Sequence, residues 1–288
     1  MPVVSIVTTT LNRPHFLAEA IQSALAQTFI DFELLVCDDG GSDETRAVCE
    51  KFADPRIRHI VNPSRLGIAM NTYAGAMAAR ADLIAFLNDD DRWTPQFLEK
   101  CSQPLREDSA AVLAFSDHWF IASDGARLIA ETDQSSRTYG RDQLPPGTVS
   151  EPLKLLARNT TPLAMASVFR KSAVEWSRYS GKIHGSYDYF LSYCLLRSGG
   201  RVVFIPERLT EYRVHGTNAS AEFSLANLSG TSYVNSLVLR DPRFAPIASE
   251  IRSRSAGVER KLTWLYFQRM RLLSAGFHFA NFIKYSVA

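Results

Sequence analysis

The sequence predicts an α/β protein built on a mostly parallel sheet with helices on both faces. Three observations carry that expectation. Strand-like and helix-like segments alternate from the N-terminus to about Leu105. The first strand-like run, Val3 to Thr9, is β-branched and apolar, as a buried strand is. The strongest polar clusters, "TTTLNR", "DDGGSD" and "NDDDRW", each sit where a strand-like run ends. Sheets of this kind bind ligands beyond the carboxyl ends of their strands, so the three clusters point to one site.

The elements follow in order. After Val3–Thr9, "RPHFLAEAIQSALAQ" places Phe16, Leu17, Ile21 and Leu25 at near-helical spacing, with Pro14 suited to a helix start. "FELLVCDDGGSDET" is a second strand running into acids and glycines, and "SDETRAVCEKF" is a helix capped by Ser42. "IRHIVN" is a short third strand, "GIAMNTYAGAMAAR" a small-residue helix and "ADLIAFLN" a fourth strand. "TPQFLEKCSQPL" opens another helix, with Thr94 as N-cap and Pro95 at the first helical position. Further on, "AAVLAFSDHWFI" reads as a strand, "SDGARL" as a turn and "TDQSSRTYGRDQLPPGTVS" as a loop over the site. "MASVFRKSAV" reads as a strand entering a helix, and "HGSYDYFLSYCLLRSGG" as a turn and a helix ending at Gly199. "RVVFIPERLTEYRVHGTNAS" reads as a strand pair ending in a polar loop, and the chain is expected to be helical from Phe223.

Composition bounds the function. The 288 residues are 46% hydrophobic and 22% charged, enough for one large domain or one domain with a small accessory region. A net charge of +2 argues against a nucleic-acid partner. Cys37, Cys49, Cys101 and Cys194 are scattered, without CxxC spacing, and are expected as reduced, buried thiols of a cytoplasmic protein. The N-terminus does not read as a signal peptide, and no stretch is apolar enough to span a bilayer.

The chemistry starts from "LIAFLNDDDRW". Asp89, Asp90 and Asp91 crowd like charges at a strand end, which a hard divalent cation would neutralise. In an extended segment Asp89 and Asp91 point one way and Asp90 the other. The competing reading is a solvated turn whose acids cap the next helix. A second acidic edge, Asp38 and Asp39, can accept hydrogen bonds from a nucleobase imide or a ribose hydroxyl, or can equally be a tight turn. "GGSD" lacks the GK[ST] ending of a phosphate-binding loop, and GxGxxG is absent.

Taken together, "VSIVTTTLNRPHFLAEAIQSALAQTFIDFELLVCDDGGSDET", "NPSRLGIAMNTYAGAMA" and "FLNDDDRWTP" resemble, in order and spacing, the family-two inverting nucleotide-sugar glycosyltransferases with the GT-A fold. The resemblance is close over Val3 to Leu105 and extends more weakly to about Ser220. It implies a Rossmann-like GT-A domain over 1–222, with a nucleotide-sugar half (1–105) and an acceptor half (106–222), followed by a helical extension over 223–288. By position it implies nucleotide contacts at Thr9 and Arg13, base recognition at Asp39, and a metal-binding acidic motif in which Asp90 holds Mn²⁺ or Mg²⁺, assisted by Asp89 or Asp91. Asn88 stands where the family often has Asp. Met70-Asn71 stands where it often has Arg-Asn, and Arg65 is the substitute cation.

Inversion by single displacement needs a base for the acceptor hydroxyl, and the resemblance places it at Asp188 in "HGSYDYFL"; the alternative is that Asp188 caps its helix. His215, in "EYRVHGTNAS", is a candidate for the metal shell or the diphosphate. The expected partners are a nucleotide-sugar donor, expected to be a UDP-sugar, and a saccharide or glycolipid acceptor in polysaccharide or glycoconjugate synthesis. The tail mixes Trp264, Phe267, Leu272, Leu273, Phe277 and Phe282 with Arg260, Lys261, Arg269, Arg271 and Lys284. Such a helix suits the inner face of a membrane, or packs on the catalytic domain or another subunit. Two other readings stand beside the transferase: a non-catalytic sugar-nucleotide-binding scaffold, and a nucleotidyltransferase, for which "TTTLNRP" is a poor triphosphate loop.

Overall fold

The computed structural model describes residues 1–158, 160, 164–215, 225–268 and 272–287. Strands β1 (Val4–Thr10), β2 (Phe32–Asp38), β3 (Ile57–Val61) and β4 (Leu83–Phe86) pair in parallel in the order β3-β2-β1-β4. Their continuous apolar runs are what burial on both faces requires. Val7, Leu35 and Phe86 point into one core, and Ile6, Leu34, Val36 and Ala85 into the other. Helix α1 (Pro14–Leu25) starts at its proline, and α2 (Asp43–Phe52) is capped by Ser42, whose Oγ accepts from the Thr45 N–H at 3.1 Å. Helix α3 (Gly67–Ala78) lies so close to the sheet that a Cβ on Gly75 would sit 2.4 Å from Val7 Cγ1 and 2.8 Å from Cys37 Sγ. Its run of small residues is therefore a packing requirement.

Beyond β4 the sheet is mixed rather than parallel. It continues through β8 (Ser167–Arg170), β6 (Ala111–Ile121), β9 (Arg201–Arg213) and β5 (Arg92–Trp93), with β7 (Gly147–Thr148) on the side of β9. Strand β8 runs antiparallel to both β4 and β6, while β6 and β9 are parallel.

Several expectations are corrected here. Helix α4 (Phe97–Glu107) begins two residues later than expected, with Gln96 at the cap position; Thr94 Oγ1 instead donates to the Leu209 carbonyl. The "TDQSSRT" stretch is not a loop but most of helix α5 (Ile129–Thr138). Its buried face is Thr132, Ser135 and Ser136, so apolar periodicity could not reveal it. The stretch after β8 makes only a short 3₁₀ turn, Lys171–Ala173. The expected strand pair from Arg201 is the single strand β9. Pairing with β6 skips from Ile205 to Arg208, so Pro206, which has no N–H, and Glu207 bulge out of one continuous strand.

Helices α6 (Pro152–Ala157) and α7 (Tyr187–Arg197) close one face. Helices α8 (Leu225–Arg240), α9 (Ala248–Gln268) and α10 (Leu272–Val287) form the expected C-terminal helical extension. It is not a separate body: Val234, Val238 and Ile251 belong to the same core as Phe86 and Phe190. The end of the polar loop (216–220), the expected boundary at 222/223, Arg269 and Arg271 lie outside the described residues. All four cysteines are buried free thiols. Among the described residues no helix is long and apolar enough to cross a membrane.

Candidate active site

A cavity of about 890 Å³ opens beyond the carboxyl ends of β1, β2 and β4. Thr9, Arg13, Asp39, Arg65, Asn71, Asn88, Asp89, Asp90 and Asp188 all line it. Asp91 and His215 do not, although His215 touches a lining acid.

The acidic triplet is a turn, closed by the Asp91 N–H donating to the Asn88 carbonyl at 3.2 Å, so the extended-strand alternation does not apply. Asp89 and Asp90 face the cavity together. Asp89 Oδ2 accepts from Thr10 Oγ1 at 2.8 Å, and Arg13 Nη1 donates to Asp90 Oδ2 at 2.9 Å and reaches Asp89 Oδ1 at 3.4 Å. His215 Nε2 lies 3.1 Å from Asp90 Oδ2, its ring stacked on Phe16. Burial, and then the charge of Asp90, push the Asp89 carboxyl up to about 6 against the pull of Arg13.

Asp91 is turned away from the cavity, contrary to its expected place in the metal shell. It is wholly buried, accepts from the Arg213 N–H at 2.9 Å and from Asn88 Nδ2 at 2.8 Å, and burial holds its carboxyl well above the usual range. Arg213 completes this lock: Nε donates to the Asp90 carbonyl at 2.8 Å, Nη2 to Glu19 Oε2 at 2.6 Å, and its guanidinium lies over the Phe16 ring. The third acid therefore holds the turn that presents the other two.

Asn88 has a reason to be an amide. Its Oδ1 accepts from the Tyr187 hydroxyl at 2.7 Å while its Nδ2 donates to Asp91. A carboxylate there could not donate, and would add a like charge beside Asp91.

At the β2 edge, Asp39 accepts three hydrogen bonds from the turn before α3: Asn62 Nδ2 at 2.9 Å, Leu66 N at 2.7 Å and Gly67 N at 2.8 Å. Asn71 ties the same corner, donating to the Cys37 carbonyl at 2.9 Å and accepting from Asn62 at 2.8 Å. Asp39 is thus held rigidly at the cavity. Arg65 stands beside it, exposed and unpaired among the described residues.

Asp188, also on the cavity lining, sits in the first turn of α7. Its carboxylate accepts from the adjacent Tyr189 N–H at 2.7 Å, and burial pushes it up to about 6. Ser186 occupies the cap position, and its Oγ contacts the Asn227 carbonyl and the Thr231 hydroxyl instead of the helix. The sequence reading missed several lining residues: Tyr187, His118, Phe120, Arg141, Tyr212 and Arg254. For Phe120 and His118 a signal existed, since alternate residues of β6 share a face. His118 is buried beside Arg141, and burial chiefly holds its pKa down to about 3, so the ring is neutral. Arg141 pairs with buried Asp117 at 2.6 Å, a contact no local pattern announces.

Among the described residues no three His, Cys, Asp or Glu side chains are grouped to cage a metal ion. What is offered is Asp90, whose Oδ2 is engaged by Arg13 and His215 and whose Oδ1 accepts no hydrogen bond among the described residues, with Asp89 beside it. Hard carboxylate oxygens at an open wall fit a cation that takes most of its shell from a diphosphate and water.

A family model, glycosyl transferase family 2, matches residues 5–175. The UDP-Glc:alpha-D-GlcNAc-diphosphoundecaprenol beta-1,3-glucosyltransferase WfgD of Escherichia coli is 40% identical over 96 residues, which are 33% of this chain and 38% of that enzyme. The match thus spans well under half of that relative's length. Among solved structures, S. aureus TarS 1-349 in complex with UDP-GlcNAc superposes with a TM-score of 0.67 at 12% identity, covering 99% of this chain and 89% of that one. A mannosyltransferase from Pyrobaculum calidifontis in complex with GDP-Man and Mn²⁺ superposes with a TM-score of 0.62 at 14% identity, covering 97% and 74%. These superpositions speak for the fold, which is the GT-A fold that the sequence predicted.

Proposed function

The chain belongs to glycosyl transferase family 2, and from that premise we propose that this glycosyltransferase moves a sugar from a UDP-sugar to a hydroxyl of a lipid-linked or polysaccharide acceptor, with inversion. The observation that supports the reading is that one cavity is lined by Asp39, Asp89 and Asp90 from the strand ends and by Asp188 from α7. The E. coli relative's undecaprenyl-linked acceptor and the UDP-GlcNAc bound to TarS support the choice of substrates.

In this reading Asp39, Thr9 and Arg65 hold the nucleotide, while Asp39's bonded carboxylate keeps an oxygen lone pair for a uracil imide. Arg13 lies against the diphosphate beside Asp89 and Asp90. Bound Mg²⁺ or Mn²⁺, held by Asp90 with Asp89 assisting, would neutralise charge on the departing diphosphate. His215 orients Asp90. Asp188 takes the proton of the acceptor hydroxyl as its oxygen bonds to the sugar's anomeric carbon and the bond to the diphosphate breaks, releasing UDP. A carboxyl held near 6 is a stronger base than an ordinary aspartate and is still ionised at neutral pH. Residues 1–222 would form the catalytic unit, and the C-terminal helices would hold the enzyme at the inner face of a membrane, where such an acceptor resides.

The decisive experiment is Asp188→Asn. UDP affinity should stay at the wild-type value while kcat falls by about 10²–10⁴-fold, the range for losing a general base. A near-normal kcat would return Asp188 to a structural role, since Asn serves equally well at a helix start.

A further inference from the structure

The wall of the cavity beyond Asp188 is made by the C-terminal helices. Asn227, Leu228 and Thr231 of α8 and Arg254 of α9 line it. Arg254 is half-buried. Its Nη1 donates to the Leu156 carbonyl at 3.0 Å, its Nη2 donates to the Tyr189 hydroxyl, and the guanidinium lies 4.8 Å over the Tyr189 ring. All these partners are neutral. Nε is buried and has no acceptor among the described residues.

The other arginines of the cavity differ. Arg13 is paired with Asp89 and Asp90, Arg141 is paired with Asp117, and Arg65 stands in solvent. Arg254 is a cavity cation, partly withdrawn from water, with no carboxylate in ion-pair reach among the described residues. A desolvated guanidinium without a counter-charge is unfavourable, and its planar fork fits phosphate and carboxylate better than any other group.

We propose that Arg254 is the acceptor-side anion site: it binds a phosphate or carboxylate group carried by the acceptor. The inference rests on Asp188 marking the acceptor end, because Arg254 stacks on Tyr189, the next residue along α7. It gives the C-terminal helices a part in recognising substrate. The phosphate could belong to a lipid diphosphate and the carboxylate to an acidic sugar, and the two sources are separable.

The test uses the full chain with UDP present at saturation, so that the donor end is filled. Inorganic phosphate and, separately, acetate are titrated by calorimetry. The wild type should bind one of them, and Arg254→Gln, which keeps a donor for the Leu156 carbonyl but loses the charge, should bind it about 10–100-fold more weakly, as the loss of a charge-assisted hydrogen bond implies. Arg254→Lys, which keeps the charge without the fork, should fall between and decides the matter if the Gln variant does not fold. Preference for phosphate assigns a phosphorylated acceptor, and preference for acetate a carboxylated one. No anion binding by wild type, or equal binding by wild type and the variants, would overturn the proposal and leave Arg254 as a tie between α9, α6 and α7. Failure to bind UDP would sink the donor reading alone, since the wild-type and variant comparison can be run without it.

Discussion

Asp188 and Asp89 share one physical condition: burial has lifted both carboxyls to about 6. For activity the sign is simple. The base must be ionised, so turnover limited by Asp188 should rise as pH increases through about 6 and level off above it. For stability the sign is the opposite of the usual aspartate. The folded protein holds its proton more tightly than the unfolded chain, where an aspartate has its ordinary value of about 3.8. Folding is therefore favoured while Asp188 is neutral, and this contribution is lost as pH rises from about 4 through about 6. Asp188→Asn removes the titration. It should unfold at higher denaturant than wild type at pH 8, by about 1–3 kcal/mol for a shift of this size in a partly accessible group. The advantage should vanish by pH 4. Equal stability of the two proteins at both pH values would mean that Asp188 is not desolvated. Residues of this kind are only half-legible in sequence. The acids were visible, but the split of labour within the triplet was not. It depends on Arg213, far along the chain, donating its backbone N–H to Asp91.

Elements whose signal is local were readable, and elements whose signal is a distant partner were not. The four parallel strands, the Ser42 cap and the Pro14 start are dictated within a few residues of themselves. Helix α5 is not, because its buried side is polar and is satisfied from β6: the Phe120 N–H donates to Thr132 Oγ1 at 2.9 Å, and Ser136 Oγ donates to Asp117 at 2.6 Å. The bulge at Pro206 in β9 likewise looks like a strand end until β6 is seen to run past it. Glycines give a sharp test of local against tertiary preference. Replacing a helical glycine with alanine gains about 1 kcal/mol of helix propensity. At Gly257 in α9 a new Cβ meets nothing within 4 Å, so Gly257→Ala should stabilise the protein by about that amount. At Gly75 the same change drives a methyl into Val7 and Cys37, both almost wholly buried in the sheet. Overpacking of that kind costs about 1–3 kcal/mol, so Gly75→Ala should be destabilising on balance. Chemical denaturation of the two variants reads both signs, and a stable Gly75→Ala would show that α3 can shift off the sheet.

At the scale of the whole molecule, the C-terminal helices help finish the core and also leave large aromatic rings, with Arg260, Lys261 and Lys284, exposed. Trp264 and Phe267 of α9 are 59% and 66% exposed, and Phe277 and Phe279 of α10 are 64% and 52% exposed. Beyond Glu259 the chain has no Asp or Glu, whereas Arg260, Lys261, Arg269, Arg271 and Lys284 all follow it. Glu259 itself is buried, bonded to Ser232 and His278, and does not offset the exposed charge. Exposed aromatic rings, with a stretch of sequence that carries cations and no Asp or Glu, match an anionic bilayer, where each basic residue near the surface contributes about 1 kcal/mol. The full chain should therefore sediment with vesicles containing anionic phospholipid and not with purely zwitterionic ones, and added salt should release it. Replacing Trp264 and Phe267 together by Ser should weaken vesicle binding about tenfold or more, by loss of buried apolar area, while UDP affinity is unchanged. Binding that ignores lipid charge, or survives the double substitution, would rule out these side chains as the contact. If they instead join two copies of the chain, light scattering will show a dimer that the same substitution dissociates, with no vesicle binding by the wild type.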